Sequence, residues 1–422
     1  MSSLINPSLL DKPKIVVTGI SVISTIGIGV DNFWKALLAG KIGIYDINRF
    51  DTSEFLTHKG GEVRNFCPSQ YITKFPYDEL PLSTQFAVAV TKMAMKDADL
   101  LESCSNSERI GVVFGTVMGN KPALEPIAKN LHMESQELIS VFIPNANAAS
   151  DTTLICRAPA IELGLFGPNM LVSTACAAGN SAITYAMDTI SSGRADVMIA
   201  GGTDELSISV YMMFNKFSAI APDSVQPFDK NRKGLIPSEG AGALVLESYE
   251  HAKKRGAFIY GEVCGHGNFA DAHHMTAPHP EGLGAIRSME TALKMSGFSP
   301  EEVDYISAHG TGTPLNDAIE SKAINTVFSN ITNSISVSSI KGMLGHTHGA
   351  SGVIESASCL LAIRDNIVPH NANYEEPDPE CQLNIVTGTP RHQKVRVALN
   401  NAFGFGGNTS CVVFSQLDTS RE

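Results

Sequence analysis

At 422 residues the chain exceeds the size at which a single hydrophobic core stops growing, so it holds two fused cores or one large α/β unit, deep enough to bury a reactive side chain. A composition of 43% hydrophobic and 18% charged residues excludes a mainly disordered chain, and the 36 glycines point to many tight turns and close backbone approaches. A formal net charge of -12 excludes a general nucleic-acid face, which must be basic, and leaves room only for a local basic docking patch.

The N-terminus, MSSLINPSLLDKPK, lacks the charged-then-apolar pattern of a leader, and no apolar run is long enough to span a bilayer. A cytoplasmic protein with no membrane partner is expected. Cysteines stand at 67, 104, 156, 176, 264, 359, 381 and 411 with no CxxC pair and no histidine at zinc-finger spacing, the pattern of free thiols in a reducing compartment.

Along the chain, KIVVTG at 14–19 reads as a buried strand. A glycine-rich loop then runs to Gly29 and enters an amphipathic helix at DNFWKALLAG. GISVISTIGIG does not space its glycines as G-x-G-x-x-G, so tight packing is the preferred reading over a dinucleotide site. RIGVVFGT, NMLVSTAC, ADVMIAGG and GALVLE follow as strands, separated by helices such as STQFAVAVTKMAMKDADLL and AAGNSAITYAMDTISSGR. After about residue 258 a similar order returns in VDYISAHGTGT, SISVSSIKGMLGHTHGASGVIESASCLLAI and RVALNNAFGFGG, which reads as an internal duplication. The expected halves, 1–258 and 259–422, pack as one rigid body with their strand ends around a shared cleft.

Cys176 follows the strand LVST and opens the small-residue run AAGNSA, where amides of a helix N-terminus would favour a thiolate and lower the thiol pKa. A buried apolar cysteine is the competing reading, and the segment alone does not separate the two. His309 ends the strand VDYIS, with the hydroxyls of Thr311 and Thr313 beside it, placed to bond an extended polar ligand. Lys341 and His346 occupy another strand-to-helix junction. A cysteine, two histidines and a lysine at such ends suit acyl transfer followed by charge stabilisation. Asp317 and Glu320 share a helix face at i, i+3. In NNAFGFGGNTS, Phe403 is the candidate for a backbone N–H at an oxyanion and for an aromatic gate.

Together STACAAG, AHGTGTPLND, SSIKGMLGHTHGASG and NAFGFGGNTS closely resemble the motifs of β-ketoacyl-acyl-carrier-protein synthases of the elongating Cys-His-His type, including the ketosynthase subunits of type II polyketide synthases. GRADVMIAGGTDE, QPFDKNRKGLIPSEGAGALVLESYEHAKKRGA and DAHHMTAPHPEG agree in the same order, so the resemblance spans nearly the whole chain. It implies an α/β thiolase-like fold, whose duplicated halves form a five-layered α-β-α-β-α body, usually dimeric. The first half carries the nucleophile, and the second carries the histidines, the lysine and the gate loop.

The resemblance makes Cys176 the acylated nucleophile and gives His309 and His346 the decarboxylation of a malonyl thioester. Lys341 becomes an orienting charge paired near Glu320. Thr311 and Thr313 contact the phosphopantetheine arm of an acyl-carrier protein, Cys176 and Phe403 amides form the oxyanion hole, and Met118 is a pocket-floor position. No metal or redox cofactor of its own is implied. The partner chain is a second copy or a homologous cysteine-less chain-length subunit. His346, where initiating enzymes have Asn and thiolases add a second Cys, disfavours both of those classes. Fatty-acid and polyketide pathways both remain, as does a non-catalytic scaffold, against which the intact Cys-His-Lys-His set stands. In the region where relatives carry a basic carrier-docking helix, YITKFPYDELPLSTQFA offers Lys74 nearly alone, leaving Lys230, Arg232 and Lys233 as substitutes.

Overall fold

The computed structural model describes residues 13–101, 107–125, 151–329 and 331–418; the N-terminal segment 1–12 and Cys104 lie outside them. Ten strands carry the body: β1 (Ile15–Ser24), β2 (Ile110–Gly115), β3 (Asn169–Val172), β4 (Val197–Asp204), β5 (Gly240–Ser248), β6 (Gly261–Ala270), β7 (Tyr305–Ser307), β8 (Ser336–Ser338), β9 (Val397–Gly404) and β10 (Asn408–Ser415).

Hydrogen bonding orders them β8-β7-β9-β10-β6-β1-β5-β4-β2-β3. Read outward from the centre, both halves repeat one pattern. β1, β5, β4, β2, β3 and β6, β10, β9, β7, β8 correspond strand for strand, with the same antiparallel and parallel pairings. In the ladder, β1 and β6 join the two sets through Val16↔Glu262 and Val17↔Gly261.

Strand sequences show why the sheets are buried on both faces. Neighbouring residues point to opposite sides, and both sides are apolar. Val113, Leu244, Ala398 and Val412 enter a central core, whereas Val112 and Val245 enter one outer core and Leu399 and Val413 another. Helices fill the layers accordingly. α1 (Val30–Leu38) packs on β1 at the start of the chain. α2 (Leu82–Asp97) and α3 (Leu154–Leu163) cover the first sheet, and α6 (Leu283–Ser296) and α7 (Pro314–Phe328) the second, while α5 (Ile208–Lys216) lies beside the cleft.

Between the sheets lie α4 (Ala178–Ser191) and α8 (Ser351–Asp365), which touch strands of both halves and each other. α8 is buried from Ser351 to Ile363, as a helix with no charged face must be. The result is the five-layered thiolase-like body.

The stretch 19–29 is not the loop its glycines suggested. β1 runs on to Ser24 because ISVIS keeps supplying strand residues, and the chain reverses in a hairpin pairing Ile23 with Ile28. Gly19 serves packing: a Cβ there would lie 2.4 Å from the Ala94 carbonyl oxygen of α2. β6, GEVCGHGNFA, escapes sequence reading because its glycines dilute the alternation.

α4 and α8 cross at equivalent glycines, each the second residue of its helix. A Cβ on Gly179 would meet the Val353 nitrogen at 2.8 Å, and one on Gly352 the Asn180 Oδ1 at 2.5 Å. Asn400 bonds this crossing from β9, reaching Asn180 Oδ1 at 3.0 Å and the Gly352 carbonyl at 2.7 Å. Gly352→Ala is therefore expected to destabilise by about 1–3 kcal/mol through overpacking, where an open helical site would gain about 1 kcal/mol from the same change. Urea denaturation of both proteins decides between them.

Candidate active site

Cys176 sits at the β3-to-α4 junction. Ala175 before it adopts the left-handed conformation, φ 50°, which costs a residue with a Cβ about 1–2 kcal/mol. Two tight backbone bonds, Ala177 N to Thr174 O at 3.2 Å and Ala178 N to Ala175 O at 2.9 Å, hold this turn and aim the thiol into a cavity of about 390 Å³. His309, His346, Thr311, Thr313 and Phe405 line the same cavity. His346 Nε2 lies 3.1 Å from Cys176 Sγ, and the His309 and His346 rings stand 5.4 Å apart, nearly perpendicular.

His309 leaves β7 held on three sides. Its amide donates to Glu320 Oε1 and the next amide, Gly310, to Oε2, both at 2.8 Å. Its carbonyl accepts from Lys341 Nζ at 2.7 Å, and its Nδ1 faces the same Nζ at 3.4 Å. An ammonium group has donors and no acceptor. Nδ1 is therefore the accepting nitrogen, and the ring proton resides on Nε2. His346 Nδ1 instead faces the Ser351 hydroxyl at 3.1 Å, which can donate or accept. Burial holds both imidazoles well below the usual histidine range, with the Lys341 charge adding to it, so both are neutral near pH 7.

Four sequence expectations need correction. Lys341 does not pair with Glu320. Its buried ion-pair partner is Glu355, on α8, while Glu320 is occupied by the two amides of the His309 loop. The visible sign of Glu355 is a lone carboxylate in the otherwise small and apolar helix SGVIESASCLLAI.

Phe403 remains inside the β9–β10 ladder opposite Thr409, its ring 5.8 Å from His309, and the chain leaves the ladder only after Gly404. The amide bonded to the thiol is that of Phe405, whose ring packs against Phe214 at 5.7 Å and Phe217 at 5.8 Å. Gly404 allows this approach, since a Cβ there would come within 2.9 Å of the Cys176 nitrogen.

Met118 does not line the cavity; it packs behind it against Val210, Phe214 and Leu235. Finally, the thiol pKa is not lowered. Burial pushes Cys176 up to about 12, against the pull of the Lys341 charge and the Phe405 amide.

Thr311 and Thr313 bond each other at 2.8 Å in a loop whose amide at Gly312 donates to Asp317. Sequence reading also missed Asp204 at the end of β4. It accepts from Thr116 Oγ1 at 2.8 Å, from the Val117 and Met118 amides at 2.8 and 2.9 Å, and from Gly349 of the other half at 2.7 Å. Of the substitute docking cations, Arg232 is buried with Asp378, Lys230 pairs with Glu376, and Lys233 is exposed. Lys74 Nζ bonds the Ile161 carbonyl at 2.8 Å. The seven described cysteines are free thiols. Among the described residues no group of three or more His, Cys, Asp or Glu is arranged to hold a metal, and no helix is long and apolar enough to cross a membrane.

A thiol faced by an imidazole and a backbone amide, at the foot of a cleft in a duplicated thiolase-like body, defines an acyl-transferring condensing enzyme. The chain belongs to the β-ketoacyl synthase family: the family's N-terminal domain matches residues 12–252 and its C-terminal domain residues 260–375. It is 41% identical to the 3-oxoacyl-[acyl-carrier-protein] synthase 2 of Synechocystis over 96% of this chain and 99% of that protein. The Coxiella burnetii protein of the same name is 39% identical, over 97% of this chain and all of the other. Among solved structures, the ishigamide ketosynthase/chain length factor superposes with a TM-score of 0.90 at 36% identity, covering 96% of this chain and 100% of its own. A type II polyketide synthase ketosynthase, bound to its hexaketide and in complex with its acyl-carrier protein, superposes with 0.89 at 32% identity, over 97% and 100%.

Two predictions follow from this geometry. Glu355→Ala leaves Lys341 buried without its counter-charge and is expected to cost about 3–5 kcal/mol of stability; Lys341→Met combined with Glu355→Leu should recover most of it in urea melts. The second concerns pH. A raised thiol pKa leaves less thiolate at any given pH, so the rate of Cys176 alkylation by iodoacetamide should still climb above the ordinary thiol value of about 8.5. A short unstructured reference peptide carrying one cysteine, added to the same sample, should level off there. Peptide mass analysis reads both, and a Cys176 rate that levels first would mean that the helix N-terminus outweighs burial.

Proposed function

We propose that the protein catalyses the decarboxylating condensation of an acyl group carried on Cys176 with malonyl-acyl-carrier protein, releasing β-ketoacyl-carrier protein. In the first step Cys176 Sγ attacks the acyl thioester carbonyl as His346 Nε2 takes the thiol proton. The carrier C–S bond then breaks, and the carrier thiolate leaves with that proton. In the second step the malonyl C–C bond to its carboxylate breaks, carbon dioxide departs, and the electron pair moves into an enolate whose oxygen accepts from His309 and His346 Nε2–H. The enolate carbon attacks the acyl-cysteine, the oxyanion accepts from the Cys176 and Phe405 amides, the C–S bond to Cys176 breaks, and the Cys176 thiolate takes up one proton from solvent to restore the thiol.

The observation that carries this reading is the Lys341 contact to His309 Nδ1. It assigns His309 to donation only, as an enolate requires. Ser351 leaves His346 free to exchange tautomers, so one ring can serve as base in the first step and donor in the second. Thr311 and Thr313 line the same cavity, which supports their contact with the phosphopantetheine arm in this reading.

We take residues 1–258 and 259–422 as the two units, a division supported by the repeated strand order. The protein acts in the cytoplasm, needs no cofactor beyond the carrier's arm, and works as a two-chain assembly. The second chain is a copy of itself or a homologous chain-length subunit, and the exposed Met170 on edge strand β3 is a natural contact for it. The relatives include 3-oxoacyl-[acyl-carrier-protein] synthases and a type II polyketide synthase ketosynthase, and this reading takes in both fatty-acid and polyketide synthesis.

Incubation with acyl-carrier thioester is expected to add one acyl mass to the wild type and none to Cys176→Ala; an adduct retained there overturns the nucleophile. His309→Ala should still acylate but lose about 10²–10³ in malonyl decarboxylation, the size of a missing oxyanion donor. Equal loss of both steps would contradict this division of labour.

A further inference from the structure

Two residues after His346 the chain sets a third imidazole into the interior. His348 is 1% exposed and adopts the left-handed conformation, φ 52°. Its ring stacks on Phe214 at 5.5 Å with planes 11° apart, and lies 5.1 Å from the His346 ring. Its Nε2 has no hydrogen-bond partner among the described residues. A buried polar atom left unpaired is destabilising, as is a left-handed non-glycine residue. An apolar side chain of similar size would avoid the first of these.

The surroundings say what the nitrogen faces. Phe214 belongs to an apolar cluster with Val210 and Leu235, against which Met118, Met213 and Phe405 pack. Phe214 and Phe405 also line the cavity at Cys176. His348 therefore stands directly behind the Phe214 and Phe405 wall of that cavity, where an acyl chain on Cys176 would pass it if the Phe405 ring turned aside. Against that apolar cluster, its Nε2 is an unclaimed hydrogen-bonding atom.

We infer that His348 Nε2 is a subsite for an oxygen on the acyl chain, and that the preferred acyl substrate carries a carbonyl or hydroxyl along its length rather than being plain alkyl. This rests on the reading of Cys176 as the acylated nucleophile. Burial pushes His348 down to about 3, so the ring is neutral and suits an uncharged oxygen rather than a carboxylate.

The test compares two carrier-bound acyl groups of equal length, one saturated and one with a mid-chain oxo group, by the rate at which each acylates Cys176 in intact-mass measurements. The wild type is expected to favour the oxo chain. In His348→Leu that preference should fall about tenfold, the loss of one hydrogen bond of roughly 1.4 kcal/mol, and in His348→Gln, which keeps a hydrogen-bonding end, it should fall less. An unchanged ratio in His348→Leu, with both rates moving together, would overturn the subsite and leave His348 a packing neighbour of His346. If His348→Leu does not fold, a wild type that shows no preference for the oxo chain overturns it equally. Failure of either chain to acylate the wild type would instead defeat the nucleophile assignment on which the subsite rests.

Discussion

Lys341 and Glu355 form an ion pair with no share of the surface, 1% and 2% exposed at their side chains. Two charges removed from water must be closely paired and further hydrogen-bonded to be tolerated, and here the further bonds are what make the site. Lys341 spends its remaining donors on the His309 carbonyl and faces the His309 ring, which fixes that ring's tautomer. Glu355 stands on α8, one of the two helices of the middle layer, so the pair also ties the loop after β8 to the centre of the molecule. Removing the charge from either residue would free His309 to turn its acceptor nitrogen towards the cavity, even if the backbone did not move.

The duplication gives this arrangement its economy. The junction after β3 and the junction after β8 are equivalent in strand order, yet the first presents a thiol on a strained turn and the second a lysine, an imidazole and a serine. Gly179 and Gly352 let the two helices that follow approach closely enough for Cys176 and His346 to meet. Asp204 fastens the same seam by accepting amides from both halves. The chemistry arises between the copies, so neither half contains it alone.

Much of this was legible in the sequence. Strands such as KIVVTG and ADVMIAGG are apolar on both faces and could only be buried, and Cys176, His309, Lys341 and His346 each stand in a loop or helical turn after a strand. What the sequence did not disclose were relations decided by side-chain direction. Glu320 and Glu355 are both carboxylates on helices after site loops, and only the packing shows which one meets Lys341. Phe403 and Phe405 differ by where the ladder with β10 ends, a boundary that a run of glycines does not mark. The thiol pKa went the other way because a helix N-terminus acts over its first turn, whereas burial takes most of the surrounding water from the sulfur.

Phe405 holds two offices at once: its amide reaches the Cys176 sulfur and its ring leans on Phe214 and Phe217. Gly404 before it and Gly406 and Gly407 after it, the last two at positive φ, give the backbone turn that lets one residue do both. In the proposed reaction, a movement that cleared the ring from the passage would also withdraw the amide. Entry and charge stabilisation would then be alternatives in time, as the two doors of an airlock are, and a chain still threading its way in would find that amide absent until the passage had shut behind it.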